Sequence, residues 1–485
     1  MKIIVISNRL PITVKREKNG FKYIQNSGGL VTGLLCVREN MEFTWVGNIS
    51  GNFTDEEKEK ITSDGWKQFK SWPVFINTEM NKKAYSGVCN RNLWPILHQF
   101  SEELIFKQDD WENYVEYNRI FCKKVMEIAS ENDVIWVHDY HLMLLPRMIK
   151  EGMEYKAKVG FFLHTPFPRS EVFKRYPYYT EIVTGLLHSD LLGFHIFEYV
   201  TGFMNTAKEF IENKEYKKDV NILNSVYDLC RDPNENKFTL SKIDIGTHTI
   251  KLSAISIGID PSIFTKCLKT SETIKRIKEL KEKYKDKKII LGVDRNEYTK
   301  GIPHRMRGFE EFLERNPEMV GKIVFLQITV PSRMDILEYS NLRLALNKNC
   351  GDINGKFGNV DETFFYLLNK SIPFPELCAL YAISDICLIT PLIDGMNLVS
   401  LEYVACQENN NGVLILSEHT GSTSTLPGAL IINSWDQSTI ADALEQAMDM
   451  DEEEKLKRCK INYENVQKFT ALKWAKDNIE NLNEI

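Results

Sequence analysis

Short apolar runs rich in β-branched residues recur along the whole chain and alternate with amphipathic helical patterns. This alternation is typical of βα units, which build parallel sheets with helices on their faces. The predicted strands are residues 2–6, 133–137, 158–163, 190–193 and 251–257 in the first half, and residues 288–293, 322–328, 386–389, 412–416 and 430–432 in the second half. The sequence therefore predicts an α/β fold with two doubly wound, Rossmann-like domains.

Polar or charged residues follow most of the predicted strands. In the first half they include Arg9, Asp139 and His164, and in the second half Arg295 and Asp394. Ligands of open α/β sheets bind beyond the carboxyl ends of the strands. We therefore expect one half-site in each domain, with both half-sites facing one cleft, and a domain boundary near residues 258–261.

Composition narrows the classes of function. The 485 residues are 43% hydrophobic and 26% charged, which suits a globular protein with a substantial core. Lys and Arg number 61 and Asp and Glu 67, so the net charge of −6 excludes a general nucleic-acid coat or a polybasic membrane binder. The ten cysteines show no metal-ligand spacing, no secretion signal is visible, and no apolar run approaches the roughly 18 residues of a membrane span. We expect reduced thiols and a cytoplasmic protein.

Two further patterns could hold the phosphates of a nucleotide. Gly28 and Gly29 precede an apolar helical pattern, where bare amides can bind an anion, although a glycine pair also suits an ordinary turn. Arg295 and Lys300 lie within six residues beyond a strand and could stabilise a leaving diphosphate; a salt-bridged surface loop has the same pattern. Neither GxGxxG after the first strand nor GxxxxGK[ST] occurs in the sequence. Dehydrogenase and P-loop interpretations therefore lose their main support.

A second phosphate and a sugar also have candidate ligands. Arg9 and Arg333 each follow a predicted strand and could clamp one phosphate together, or each could be an ordinary surface charge. Asp394 could accept hydrogen bonds from sugar hydroxyls and Glu402 from a ribose diol, although an Asp-Gly turn that caps a helix explains the same stretch. His164 could contact a sugar or be a core histidine. Three aromatic residues in loop-like sequence could pack on a sugar or belong to the core: Trp45, Tyr85 and Trp94.

No pattern predicts a metal site. His138 and His141 flank Asp139, but the spacing is not HExxH and no third ligand is evident. Asp449 and Asp451 form a DxD pattern inside a charged helical stretch with no strand before it, which is typical of a solvated helix face.

Taken together, these motifs resemble the trehalose-6-phosphate synthase family, retaining glycosyltransferases built from two Rossmann-like domains in the GT-B arrangement. The order and spacing of several stretches carry the resemblance, which extends from residue 6 to about residue 435. Those stretches are residues 6–11, 28–30, 85 with 92–95, 136–142, 162–168, 292–295 with 298–302, 330–333 and 394–402.

The resemblance implies transfer of glucose from UDP-glucose to glucose 6-phosphate with retention, giving α,α-trehalose 6-phosphate and UDP, without a metal or other cofactor. The implied catalytic residues are Asp139, His164, Arg295 and Lys300. The implied donor-binding residues are Gly29, His164, Arg295, Lys300, Ile372, Asp394, Gly395, Met396, Asn397, Leu398, Val399 and Glu402. The implied acceptor-binding residues are Arg9, Trp45, Tyr85, Trp94, Asp139 and Arg333.

The same resemblance implies the domain organisation and the partners. Residues 1–258 would form the acceptor domain, residues 259–456 the nucleotide-sugar domain, and residues 457–485 a helix that returns to the first domain. The partners would be the two small-molecule substrates, without nucleic acid or membrane. A homo-oligomer, or a complex with a separate trehalose-6-phosphate phosphatase, is compatible with the sequence.

Three stretches depart from the family pattern. Ile393 stands where Arg is common, Asn296 and Glu297 stand where Leu-Asp is common, and residues 420–427 are altered. None of these changes removes a group assigned to the chemistry. Two alternatives stay open: a non-catalytic regulatory subunit that binds the sugar phosphate, and a related transferase with a neutral acceptor. The two candidate phosphate arginines argue against the second.

Overall fold

The computed structural model describes the chain apart from residues 1, 19, 26–28, 39, 103, 156, 213–227, 230–240, 246–248, 333–336, 360–362 and 485. It contains two compact units. Unit 1 comprises Met1–Ile257 and Ala471–Ile485, and unit 2 comprises Gly258–Thr470. The predicted boundary near 258 is therefore observed.

Unit 1 is built on a nine-stranded sheet with the order β5-β4-β1-β6-β7-β8-β11-β10-β9, and β2 and β3 form a separate antiparallel hairpin. In that order, β5, β4, β1, β6, β7, β8 and β11 pair in parallel, each with the next, and β10 pairs antiparallel with both β11 and β9. The strands are β1 (Ile3–Arg9), β2 (Ile12–Glu17), β3 (Gly20–Gln25), β4 (Thr44–Ser50), β5 (Ser71–Ile76), β6 (Val134–His138), β7 (Lys158–Phe162), β8 (Leu191–Phe194), β9 (Asp228–Leu229), β10 (Ser241–Asp244) and β11 (Thr249–Ala254).

The helices of unit 1 connect these strands and cover the sheet. They are α1 (Gly29–Arg38), α2 (Asp55–Phe69), α3 (Thr78–Asn81), α4 (Trp94–Leu97), α5 (Gln108–Ile128), α6 (Leu145–Gly152), α7 (Ser170–Phe173), α8 (Tyr179–Leu187) and α9 (Phe197–Glu212). Lys82–Leu93 forms a π-helix and Tyr140–Leu142 a 3₁₀-helix. A π-helix of this length is rare, and such segments are frequent at functional sites.

Unit 2 is built on a six-stranded, all-parallel sheet with the order β14-β13-β12-β15-β16-β17. Its strands are β12 (Lys288–Arg295), β13 (Ile323–Val330), β14 (Phe365–Leu368), β15 (Ile386–Ile389), β16 (Val413–Ser417) and β17 (Leu430–Ile432). Apolar clusters lie on the two faces of this sheet, and β15 and β16 are buried throughout. Burial on both faces explains why these strands are apolar runs without alternation.

The helices of unit 2 are α10 (Pro261–Leu268), α11 (Ser271–Lys283), α12 (Ile302–Arg315), α13 (Leu337–Phe357), α14 (Phe374–Ile383), α15 (Leu398–Ala405), α16 (Gln437–Asp449) and α17 (Glu452–Lys468). The final helix, α18 (Ala471–Asn483), belongs to unit 1. Trp474 of α18 is almost fully buried there, 4.9 Å from the ring of Trp136. The prediction that residues 457–485 return to the first domain is therefore wrong for residues 457–470, because α17 packs on α15 and β16 of unit 2.

The two large sheets share one pattern of strand order. The chain begins each sheet near its middle, builds outward on one side, and then crosses back to build on the other side. The order therefore reverses between β1 and β6 in unit 1, and between β12 and β15 in unit 2. Such a switch point is where open α/β sheets bind ligands. The predicted α/β class with two doubly wound domains is confirmed.

Candidate functional site

The switch point of unit 2 carries an ion pair between two predicted donor-site residues. Lys300 ends a 3₁₀-turn that follows β12, and Asp394 lies in the loop that follows β15. Lys300 Nζ lies 2.6 Å from Asp394 Oδ2, and Asn397 Nδ2 donates to the same oxygen at 3.2 Å. Both charged side chains are largely buried, so each charge depends on the other for compensation.

Arg295, the last residue of β12, is the accessible cation of this half-site. Its side chain is 51% exposed, and its Nη1 lies 3.1 Å from Oε1 of the fully buried Glu297. The same carboxylate oxygen accepts a hydrogen bond from the Ser332 hydroxyl at 3.0 Å, and Asn296 Nδ2 donates to the Tyr339 carbonyl oxygen. The residues that depart from the family pattern here are therefore buried and brace the loop that carries Arg295.

A buried arginine that the sequence analysis missed links β12, β13 and the residue that follows β15. Arg305 of α12 is fully buried. Its Nη1 donates to Asp294 Oδ2 at 2.5 Å and to Gln327 Oε1 at 2.9 Å, while its Nε donates to the Thr390 hydroxyl at 3.0 Å. The available signal was an arginine on the apolar face of an amphipathic helix.

The loop from Asp394 to Val399 leads into the amino end of α15. Asn397 is the N-cap, and its Oδ1 accepts the amide hydrogen bond of Ser400. The backbone of Asp394 bonds to residues 419 and 421, so the altered stretch 420–427 holds this loop. The first turn of a helix presents amide donors that favour an anion. The remaining predicted members of the loop are Gly395, Met396, Leu398 and Val399.

Glu402, one turn into α15, is a carboxyl group with an altered proton affinity. Its Oε2 accepts a hydrogen bond from the Tyr381 hydroxyl at 2.9 Å. Burial raises the pKa of Glu402 to about 7. Ile372 lies elsewhere in unit 2, in the wall of a cavity of about 570 Å³ between α11 and α14 that Tyr366 and Pro373 also line.

The switch point of unit 1 has a different character, because rings rather than ion pairs dominate it. Arg9 ends β1, and its guanidinium carbon lies 4.8 Å from the centroid of the Tyr85 ring. Tyr85 stacks on His141 at 5.6 Å with an 11° angle, and His141 Nδ1 lies 3.7 Å from Asp139 Oδ2. The structure therefore brings together three predicted acceptor-site residues, with His141, which the sequence analysis considered only as a metal ligand, as their neighbour.

Asp139 has a strained backbone. Its φ of 74° and ψ of 165° lie in a region that is essentially restricted to glycine. Its amide donates to the Phe162 carbonyl oxygen at 2.8 Å, and its Oδ1 accepts the His164 amide at 3.3 Å. Strain of this kind concentrates at functional sites, so the outlier supports a functional role for Asp139.

The predicted aromatic residues do not lie in loops. Tyr85 lies in the π-helix, Trp94 begins α4, and Trp45 lies in β4. Trp94 is mostly buried beside His98, whereas Trp45 is fully buried, and its Nε1 donates to the Ser7 hydroxyl at 2.7 Å. Trp45 therefore presents no exposed face to a sugar in this structure.

Gly29 begins α1, as the sequence predicts, whereas Gly28 lies outside the described residues. Arg333 also lies outside the described residues, so the proposed clamp with Arg9 stays a prediction.

His164 is partly buried and belongs to a cluster of histidine rings in unit 1. His138 Nδ1 lies 3.1 Å from His164 Nε2, and the ring of His195 lies 5.4 Å from that of His164. Burial lowers the pKa of His138 to about 3, and burial, with the neighbouring His138 and His195, lowers that of His164 well below its ordinary value. All neutral imidazoles carry one donor and one acceptor nitrogen, so the cluster can orient hydrogen bonds without carrying charge.

The described residues contain no group of three or more His, Cys, Asp or Glu side chains placed to hold a metal ion. None of the helices in the same residues has both the length and the apolar character of a membrane span. The described cysteines are free thiols, and all of them except Cys350 are buried.

Comparisons with known proteins identify the family of this chain. The model of glycosyltransferase family 20 matches residues 1–484. An α,α-trehalose-phosphate synthase (UDP-forming) of Encephalitozoon cuniculi is 45% identical over 483 residues, covering 99% of this chain and 98% of the relative.

Solved structures extend the likeness to the fold. A crystal structure of an α,α-trehalose-phosphate synthase (UDP-forming) from Burkholderia xenovorans, in complex with glucose 6-phosphate, matches with a TM-score of 0.84 and 30% identity over 100% of both chains. The N-terminal domain of Candida albicans trehalose-6-phosphate phosphatase matches with a TM-score of 0.85 and 27% identity, covering 100% of this chain and 96% of that chain. These matches confirm the predicted fold class and the predicted resemblance, and the chain belongs to glycosyltransferase family 20.

Proposed function

We propose that this chain transfers glucose from UDP-glucose to glucose 6-phosphate, with retention, and so produces α,α-trehalose 6-phosphate and UDP. The observation that carries the proposal is the cluster of Arg295, Lys300 and Asp394 at the switch point of unit 2. Two cations and a sugar-binding carboxylate at one sheet edge match the two chemical parts of a nucleotide sugar. The family and the relatives named above support the same proposal.

The donor is held by unit 2. Arg295 and Lys300 bind its diphosphate, and the negative charge that develops on this leaving group is stabilised most by cations already in place. Lys300 is paired with Asp394 at 2.6 Å, so donor binding would transfer part of that interaction to phosphate and leave Asp394 to accept sugar hydroxyls.

Backbone groups complete the donor site. Amides of Gly395, Met396 and Asn397 contact the glucose, and those of Leu398 and Val399, in the first turn of α15, lie near the phosphates. Glu402 accepts hydrogen bonds from the ribose, and the backbone of Ile372 contacts uracil. Gly29 allows close approach of the backbone to the diphosphate.

Most of the proposed acceptor ligands belong to unit 1. Arg9 binds the phosphate of glucose 6-phosphate together with Arg333, and Tyr85 and Trp94 pack beside the sugar. Trp45 acts through Ser7, because its indole donates to the Ser7 hydroxyl, which donates in turn to the Arg9 carbonyl oxygen at 2.8 Å. Asp139 accepts a hydrogen bond from an acceptor hydroxyl.

The reaction proceeds on one face of the transferred sugar. The bond between the anomeric carbon of glucose and the diphosphate oxygen breaks, and a bond to the anomeric hydroxyl oxygen of glucose 6-phosphate forms. The proton of that hydroxyl passes to the departing phosphate, so no protein base is required. His164 contacts the transferred glucose, and the protein acts chiefly by positioning and by stabilising charge, without a metal or cofactor.

The second candidate is a non-catalytic sugar-phosphate-binding subunit. The likeness to the N-terminal domain of a phosphatase favours it, because that match shows that this fold also occurs in a protein named for another activity. The presence of Arg295, Lys300, Asp394 and Glu402 together favours the transferase. We also propose a cytoplasmic location and either self-association or assembly with a separate trehalose-6-phosphate phosphatase.

The deciding experiment measures UDP release from UDP-glucose by the full chain, with and without glucose 6-phosphate, and identifies the product by mass. We expect release that depends on glucose 6-phosphate and is unchanged by a metal chelator. Glucose should be a far poorer acceptor, because Arg9 would lack its anion. Binding of glucose 6-phosphate without any UDP release would instead support the regulatory subunit.

A further inference from the structure

His138 is a buried histidine that the proposed mechanism does not use. It ends β6, directly before the strained Asp139, and it is fully buried. Its Nδ1 lies 3.1 Å from His164 Nε2. With both rings neutral, exactly one of these two nitrogens carries the shared hydrogen, so the two tautomers are coupled.

The surroundings of His138 favour one of the two arrangements. Its Nε2 is buried and has no hydrogen-bonding partner among the described residues, and the same holds for the indole Nε1 of Trp474, whose ring centroid lies 5.9 Å away. If His138 Nε2 carried a hydrogen, two buried N–H donors would lie unpaired in neighbouring rings. Unpaired buried donors are rarer than under-used acceptors. A bare Nε2 on His138 avoids the second unpaired donor.

This arrangement fixes the tautomer of His164. When Nε2 of His138 is bare, its hydrogen lies on Nδ1 and is donated to Nε2 of His164. The hydrogen of His164 then lies on its Nδ1, the one ring nitrogen left for a ligand. The third histidine, His195, is held independently, because its Nδ1 accepts the Ile257 amide hydrogen bond at 3.3 Å.

We propose that His138 is a positioning residue that holds His164 as the neutral Nδ1–H tautomer, so that His164 donates a hydrogen bond to the transferred sugar. This role rests on the proposed function for its meaning in catalysis. It complements Asp139, the next residue in the chain, which accepts. His138, which does not contact the substrate, thereby determines that His164 donates a hydrogen bond where Asp139 accepts one.

The tautomer itself is measurable without substrate. Ring-¹⁵N-histidine labelling of the full chain, with the His164 signals assigned by comparison with His164→Gln, gives separate nitrogen shifts for the two ring positions. We expect a protonated Nδ1 and a bare Nε2 for His164 in the wild-type chain. The opposite pattern, with hydrogen on Nε2, would overturn the proposal even if the chain is an active transferase.

Two variants of His138 separate positioning from packing. The amide nitrogen of Asn can take the place of Nδ1, whereas that of Gln reaches the place of Nε2. His138→Asn should therefore keep the His164 tautomer and keep kcat within about threefold, whereas His138→Gln should lose the tautomer and lower kcat about tenfold or more, with smaller changes in KM. His188→Gln is the matched control, because His188 is a partly buried histidine of unit 1 whose Nδ1 contacts the Thr184 carbonyl oxygen at 2.7 Å.

Each outcome has one meaning. Equal kcat and equal His164 shifts in the Asn and Gln variants would contradict the positioning role. If neither variant folds, the wild-type shifts still decide the tautomer. If the wild-type chain shows the expected tautomer but releases no UDP, the proposed function fails and the hydrogen-bonded pair stands.

Discussion

The two units share one pattern of strand order but carry different kinds of side chains at the switch point. In unit 2 the switch point holds fixed charges, with Lys300 on Asp394 and Arg295 on Glu297. In unit 1 the corresponding position holds stacked rings around Asp139. A shared sheet order fixes where a ligand binds, and the residues after each strand decide which ligand it is.

The charges of unit 2 give the largest expected effect. Lys300→Ala and Arg295→Ala should each lower the rate of glucose transfer about 10²–10³-fold, because each removes a preorganised cation from the leaving diphosphate. The measurement is UDP release at saturating glucose 6-phosphate. Lys322→Ala is the control, since Lys322 is exposed just before β13, at the amino ends of the strands and so on the side of the sheet away from the site. Near-normal turnover in both variants would contradict the role of these two cations in stabilising the leaving diphosphate.

The strained backbone of Asp139 in unit 1 predicts a substitution that raises stability and lowers activity. Asp139→Gly should stabilise unit 1 by about 1–3 kcal/mol, because glycine adopts the observed φ and ψ without strain, and it should abolish most transfer. Denaturant unfolding and UDP release on the same samples test both parts. Asp139→Ala is the matched control, because it also removes the carboxylate but keeps the Cβ and hence the strain. Equal stability of the Gly and Ala variants would show that the backbone costs nothing here.

The last expected effect is a change of stability with pH and concerns Glu402 of unit 2. The pKa of Glu402 is raised from about 4.5 to about 7, so the folded chain binds this proton more tightly than the unfolded chain does. Its contribution should therefore lower stability as pH rises through the window between those values, with a slope of at most about 1.4 kcal/mol per pH unit. Unfolding midpoints at several pH values should show this slope in the wild-type chain and a weaker slope in Glu402→Gln. Parallel profiles for the two proteins would place the titration elsewhere.

Periodicity was sufficient to predict most strands of both sheets, because parallel strands buried on two faces are continuous apolar runs. It missed β4 and β5, where Gly47, Asn48 and Pro73 interrupt the pattern, and it also missed β9, β10 and the hairpin strands β2 and β3. Pro73 is tolerated because β5 is an edge strand. It also missed β14, the edge strand of the other sheet, which is short and only partly buried.

Motif order predicted the two half-sites, but it could not predict how they are supported. Arg305 and His138 act through contacts with residues far away in sequence or on other strands, and neither bears a local signature. The burial of Trp45 was equally hidden, because a tryptophan beside polar residues has the same appearance in a loop and in a strand. Such features depend on tertiary packing, which composition and spacing do not encode locally.

The position of α18 has a consequence for how the protein is made. Unit 2 is inserted into unit 1, and its two ends meet where Ile259 pairs with Thr470. A ribosome therefore delivers all of unit 2 before it delivers Trp474, the ring that covers Trp136 and completes the histidine cluster. We expect unit 2 to fold first during synthesis. The larger part of unit 1 would stay incomplete until α18 is synthesised, more than two hundred residues later. Until then an apolar face of its sheet would remain uncovered and available to chaperones.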